Sequence, residues 1–135
     1  MNPSNPSTAL RTMEQERAQF ALARIQAIAQ ESESIQAEMR RYLNGLPALI
    51  HMNGLGQALA FYRSQGNGST HDRIYRILGD WLCGADSKGR IFHEADELLT
   101  AITRSDMPHY MAAQNEAQAL LEWLKKFALA LLKKA

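Results

Sequence analysis

Only one cysteine, Cys83, occurs in the chain, so an internal disulfide framework is excluded. Beside Trp81 and Leu82 its thiol reads as a small apolar filler, and a chain with so little cysteine fits a reducing compartment, the cytoplasm by default. An excess of charge is also missing: 15 Lys+Arg stand against 14 Asp+Glu, a formal net charge of +1. That balance excludes recognition of nucleic acid by bulk electrostatics and leaves local patches as the only route. Long apolar runs are absent as well. The most apolar C-terminal stretch, "ALLEWLKKFALALLKK", is broken by Glu122, Lys125 and Lys126, whereas a bilayer span needs about 20 apolar residues. "MNPSNPSTAL" has neither a basic start nor an apolar segment behind it, so no secretory leader is expected. Strand-like alternation of apolar and polar residues is found nowhere.

What remains is helical periodicity. Residues 1–7, with two prolines and no apolar pattern, read as a disordered lead-in, and 8–135 as a single helical domain, long enough to bury a core without metal or disulfide. "TALRTMEQERAQFALARIQAIAQ" returns Leu10, Met13, Ala18, Ala21, Ile25 and Ile28 at helical spacings and predicts a long first helix. A second pattern (Ile35, Met39, Tyr42, Leu43, Leu46) is expected to break or kink at Gly45 and Pro47, because a residue before proline is disfavoured in the α region. Pro47 then falls in the first turn of a third helix with two stripes: Ala48, Met52, Leu55, Leu59, Tyr62, and Ile50, Gly54, Ala58, Phe61. "THDRIYRILGDWLCG" gives a fourth helix capped at Thr70, "HEADELLTAITR" a short fifth, and Ser105 or Asp106 with Pro108 opens a long last one. The fold class is all-α, a compact bundle of five or six helices with no sheet.

Chemical motifs fail one by one. Gly54-x-Gly56 lacks the third glycine and the preceding strand of a dinucleotide fold. Gly79 and Gly84 have phosphate-loop spacing, but Ala85 and Asp86 replace the lysine and hydroxyl residue. His51, His71, His93 and His109 are scattered, and only "HEADE" concentrates ligand types, where an acidic first helical turn is the simpler account. No nucleophile and base are singled out, so catalysis, a cofactor and a bound metal are not expected. Gly54 with Ala58, and Gly56 with Ala60, instead make small-residue pairs that let another helix approach.

Basic residues are more suggestive. Arg17 and Arg24 share a face of the first helix, Arg40 and Arg41 lie on the second, and Lys125, Lys126, Lys133 and Lys134 populate the last. If those helices meet along one surface, Arg17, Arg24, Arg40, Arg41, Lys125 and Lys126 form a strip able to track a phosphate backbone. Lysines at a helix end also complement its dipole, and Glu122 with Lys126 is an ordinary i,i+4 pair, so the same charges fit a solvated face.

Two blocks carry a resemblance. "LPALIHMNGLGQALAFYRSQG", from Leu46 to Gly66, and the final segment with Tyr110, Glu116, Leu120, Leu121 and "WLKKFA" resemble the small helical subunit of the Cmr complex, the type III-B CRISPR effector. Tyr75, Leu78, Trp81 and Leu82 match more loosely, and helix order agrees from Thr8 to Leu132. The resemblance implies a non-catalytic protein of antiviral defence. Several copies would stack into a minor filament beside the backbone subunits that carry the guide, and would contact single-stranded target RNA, CRISPR RNA or both. Cleavage in that family is credited to the backbone subunit and nucleotide chemistry to the large subunit. Two other readings follow from the residues alone: a helical adaptor with no nucleic-acid role, and a metal-dependent hydrolase built on "HEADE".

Overall fold

Thr12 starts the first helix. Its hydroxyl accepts from the Gln15 amide at 3.1 Å while the Gln15 side chain accepts from the Thr12 amide at 2.9 Å, a reciprocal cap that satisfies two amides otherwise left open. The computed structural model describes residues 10–93 and 97–134, and among them are six helices and no strand. They are α1 (Met13–Ile28), α2 (Glu33–Asn53), α3 (Leu55–Ser64), α4 (Thr70–Cys83), α5 (Leu98–Arg104) and α6 (Met107–Leu131). Residues 1–7, read as a lead-in, lie outside the described residues.

Four of the later helices are likewise set by a side-chain cap: Ser32 for α2, Ser69 for α4, Glu97 for α5 and Asp106, followed by Pro108, for α6. The first helix is shorter than its sequence pattern. Leu10 is fully exposed, because the chain enters the helix only after the Thr12 cap. The cap of α4 is Ser69 rather than Thr70, whose hydroxyl donates instead to Glu38 at 2.8 Å and ties α4 to α2.

The larger departure concerns Pro47. The expected break there does not occur, and α2 continues for 21 residues through the proline. Leu43, Leu46 and Ile50 lie on one face on both sides of it and are fully buried, so packing against α6 outweighs the lost backbone donor. Gln118 on α6 donates to the Pro47 carbonyl at 3.0 Å. The chain breaks instead at Gly54, whose φ of 86° and ψ of 159° lie in a region open almost only to glycine. That break resets the helical phase. Leu55, Ala58, Leu59 and Tyr62 turn inward on α3, while Met52 and Phe61, expected in the stripes, stay exposed.

At this junction α6 supplies the caps that α3 lacks. Gln114 Oε1 accepts from the Leu55 amide at 2.9 Å and the Tyr110 hydroxyl accepts from the Gly56 amide at 3.0 Å. Gly54 is therefore the cap before α3 rather than a partner of Ala58 within one helix. Gly56 and Ala60 both lie on α3, where Ile102 and Tyr110 approach Gly56 closely but Ala60 is exposed, and the Leu55 and Gly56 amides are occupied by protein groups. Helix α6 lies against α1 and α2, and α4 packs on α2 and α3. Ala113, Ala117, Leu120, Leu121, Leu124 and Ala128 bury completely along α6, and the small alanines among the leucines let α1 and α2 come close.

Candidate nucleic-acid interface

Arg40 and Arg41 follow the buried Met39 on α2, so this helix carries them at the edge of its core face. Just past α6, the Lys133 amide donates to the Gln36 side chain at 2.9 Å, and Gln36 in turn donates to the Ala29 and Glu31 carbonyls. This bond folds the C-terminal segment back over α2. Lys134 consequently joins Arg40 and Arg41, with Ala37, Asn44 and Leu129, around a surface cleft of about 320 Å³. Three cations line it without a carboxylate among its lining residues. The Nε–H of Arg40 is buried and has no acceptor among the described residues.

Arg41 also faces a second feature. Its Nη2 donates to the Tyr42 hydroxyl at 3.2 Å, and its guanidinium lies 4.9 Å from the centre of the Tyr42 ring. The bond to Tyr42 pushes the Arg41 guanidinium above its ordinary pKa. Tyr42 stacks on His71 at 3.7 Å and 26°, and His71 meets Tyr62 edge-on at 4.7 Å. Burial holds the His71 imidazole below its usual pKa; Glu38 pulls it up and Arg41 pushes it further down.

The other predicted cations have different surroundings. Arg17 gives two bonds to Glu116, from Nε at 2.6 Å and Nη2 at 2.8 Å, and a third to Glu14 at 2.7 Å. Arg24 pairs with Asp80 at 2.7 Å and covers the Phe20 ring at 4.6 Å. Lys126 is exposed and sits 3.9 Å from Glu122, and Lys125 is half-buried on the same helix. Of the six, Arg17, Arg24 and Lys126 thus each have a carboxylate partner within the fold. Arg40 and Arg41 are brought together with Lys134, while Arg17 and Arg24 are turned toward carboxylates of α6 and α4. In the sequence Lys134 is only one more lysine of the last helix; its place beside α2 comes with the packing of α6 on α2, the buried Leu132 and the Lys133–Gln36 bond. A further acid–base knot joins Arg63 and Arg76 to the fully buried Asp72 on α4.

Among the described residues no group of three or more metal-ligating side chains converges, and no helix is long and apolar enough to cross a membrane. Of the "HEADE" cluster, Glu94, Ala95 and Asp96 lie outside the described residues; His93 is exposed and Glu97 caps α5.

Residues 13–131 match the family model described as CRISPR-associated protein (Cas_Cmr5). The Cmr subunit Cmr5 of the CRISPR system of Thermus thermophilus is 32% identical over 123 residues, spanning 91% of this chain and 98% of that protein. The X-ray structure of a Cmr5 family protein from the same organism superposes with a TM-score of 0.71 at 29% identity, over 91% of this chain and all of that one. With the motif blocks at Leu46–Gly66 and Trp123–Ala128 inside the matched region, and with the fold in common, the chain belongs to the Cmr5 family of CRISPR-associated proteins.

Proposed function

We propose that this chain is a non-catalytic small subunit of a cytoplasmic, RNA-guided Cmr effector, stacking in several copies beside the backbone subunits and helping to hold guide or target RNA. One observation carries the RNA contact: Arg40, Arg41 and Lys134 line a single cleft with no carboxylate in its lining. Cations arranged in this way favour a phosphate backbone, each contact adding a salt-sensitive increment of affinity. Lys125 and Lys126 extend the same role along α6. Arg17 and Arg24 contribute less, since each is already paired with an acid within the fold. Family membership supports the assembly partners, because the Thermus thermophilus relative is described as a subunit of a Cmr system.

The test is reconstitution of guide-loaded complexes with the wild-type chain, without it, and with Arg40, Arg41 and Lys134 together changed to alanine. Target-RNA affinity should fall on omission, and fall partway toward that level with the triple variant in a complex of unchanged composition. Equal affinity and equal occupied RNA length in all three would remove the clamp role.

A further inference from the structure

Beside the basic cleft three helices each present a ring to one place: Tyr42 from α2, Phe61 from α3 and His71 from α4. Tyr42 and His71 stack at 3.7 Å, and Phe61 meets His71 edge-on at 6.3 Å. The set is held from beneath. The Tyr62 hydroxyl donates to the Tyr42 carbonyl at 2.7 Å, and Thr70 donates to Glu38, so α2, α3 and α4 are locked at the point where the rings meet. Phe61 leaves 52% of its surface in solvent, on the face of α3 that Gln57, Ala60 and Ser64 also expose. Arg41 belongs to both features, lining the cleft with Arg40 and Lys134 and lying against the Tyr42 ring.

Glu38 is the acid beside this set, accepting from Thr70 and acting on both His71 and Arg41, while the cleft that Arg41 shares with Arg40 and Lys134 has no carboxylate in its lining. A half-exposed ring next to such a cleft is a combination that single-stranded nucleic acid exploits. Bases stack on the ring while the backbone follows the charges, and every base has a face to offer. A duplex keeps its bases stacked inside and offers only phosphates. We infer that Phe61 is a stacking platform for an unpaired RNA base, with the adjoining phosphates led across Arg41 into the Arg40–Lys134 cleft; this rests on the RNA-holding role proposed above. The chain should therefore prefer single-stranded RNA to duplex RNA of the same length, with little dependence on base identity.

The experiment uses the full-length chain and a mixed-sequence single-stranded RNA, with affinity measured over a range of salt. Phe61→Leu keeps apolar volume and removes the ring; it should weaken binding roughly tenfold while leaving the slope of affinity against salt unchanged. Phe61→Trp should bind at least as tightly as wild type. RNA carrying 4-thiouridine should photocrosslink to the peptide containing Phe61, and the crosslink should disappear in Phe61→Leu. The control is Arg40→Ala, which should reduce the salt slope. If Phe61→Leu matches wild type while Arg40→Ala lowers the slope, the platform is wrong and the RNA-holding role stands. If the wild-type chain gives neither measurable RNA binding nor a crosslink, the platform falls, and the RNA-holding role is decided by the reconstituted complexes. If Phe61→Leu spares RNA but abolishes association between copies of the chain, the ring is a protein contact and the inference is overturned.

Discussion

Arg17 on α1 and Glu116 on α6 form a two-pronged ion pair, Nε and Nη2 of the guanidinium donating to the two carboxylate oxygens at 2.6 and 2.8 Å. Their side chains are only 16% and 11% exposed, and Trp81 Nε1 donates to the same Glu116 carboxylate at 3.0 Å. A residue chosen from sequence as a phosphate contact is thus the fastener between two helices, and Glu116 gathers α1, α4 and α6 at one point. The planar fork of arginine matches a carboxylate in a way that an ammonium does not.

Arg17→Lys keeps the charge and loses one prong, and it should destabilise the fold by about 1–2 kcal/mol. Glu116→Ala should cost more, about 3 kcal/mol, because it strands a partly buried guanidinium and the Trp81 N–H together. Urea denaturation of both variants and of the double variant checks this. The two changes should fall short of additive, and strict additivity would mean that the pair is not coupled.

Two glycines on either side of Pro47 should respond to alanine in opposite directions. Gly45 lies in the interior of α2 with nothing within 4 Å of an added Cβ, so Gly45→Ala should stabilise by about 0.5–1 kcal/mol. Gly54 holds φ at 86° and a Cβ there would lie 3.1 Å from the Tyr110 hydroxyl, so Gly54→Ala should cost about 1–3 kcal/mol. Gly54→Leu adds bulk to the same strain, and misfolding should precede any specific loss of RNA binding. Thermal melting of the three variants is sufficient; a stable, folded Gly54→Leu chain defective only in RNA binding would point back to a ligand role for the glycine.

The contrast between what is and is not legible in the sequence follows range. Helix class, the Asp106–Pro108 start of α6, the inward face of α4 and the family resemblance rest on local pattern, and the fold carries them. The break expected at Pro47 fails because the force that keeps α2 helical across it is burial of Leu43, Leu46 and Ile50 and the bond from Gln118, which lies 71 positions away. The basic residues are subject to the same limit. Glu116 is 99 positions from Arg17 and Asp80 is 56 from Arg24, so helix-face reasoning gives the side of the helix but not the acid waiting there. Arg40 and Arg41 are legible as neighbours, whereas Lys134 reaches their cleft through long-range packing of α6 on α2, the buried Leu132 and the bond from the Lys133 amide to Gln36. The aromatic set escapes local pattern because its rings come from three helices and no single window contains them.

Acid should loosen the fold through Asp72. Burial alone would push this carboxyl up, but the Gly68 amide and the cations of Arg76 and Arg63 outweigh it and hold it below its ordinary value of 3.8. A depressed carboxylate contributes stability above the unfolded pKa and loses it as pH falls through the folded one, since the unfolded chain then binds the proton more readily. Glu31, lowered by Arg73, and Asp106, lowered by the His109 amide, act with the same sign at more exposed positions. The melting temperature should therefore drop progressively below about pH 4. Asp72→Asn should be less stable at neutral pH and should show a shallower acid limb; an acid limb identical to that of the wild type would exclude Asp72 as a contributor.

Salt dependence separates cations that reach a phosphate from those already satisfied within the fold. Each phosphate contact to a single strand adds about 0.7 to the slope of log affinity against log salt. Arg40 and Arg41 line a cleft with no carboxylate in its lining, so Arg40→Ala and Arg41→Ala should each reduce the slope by about that amount. Arg24 is held 2.7 Å from Asp80, and a phosphate would have to displace that acid to use it. Arg24→Ala should accordingly leave the slope unchanged, and any loss of affinity should come from the Asp80 charge left behind. Asp80→Asn makes the converse test. Releasing Arg24 should steepen the slope only if RNA passes close to it, so a steeper slope would extend the contact surface to α1, and an unchanged slope excludes Arg24 from it.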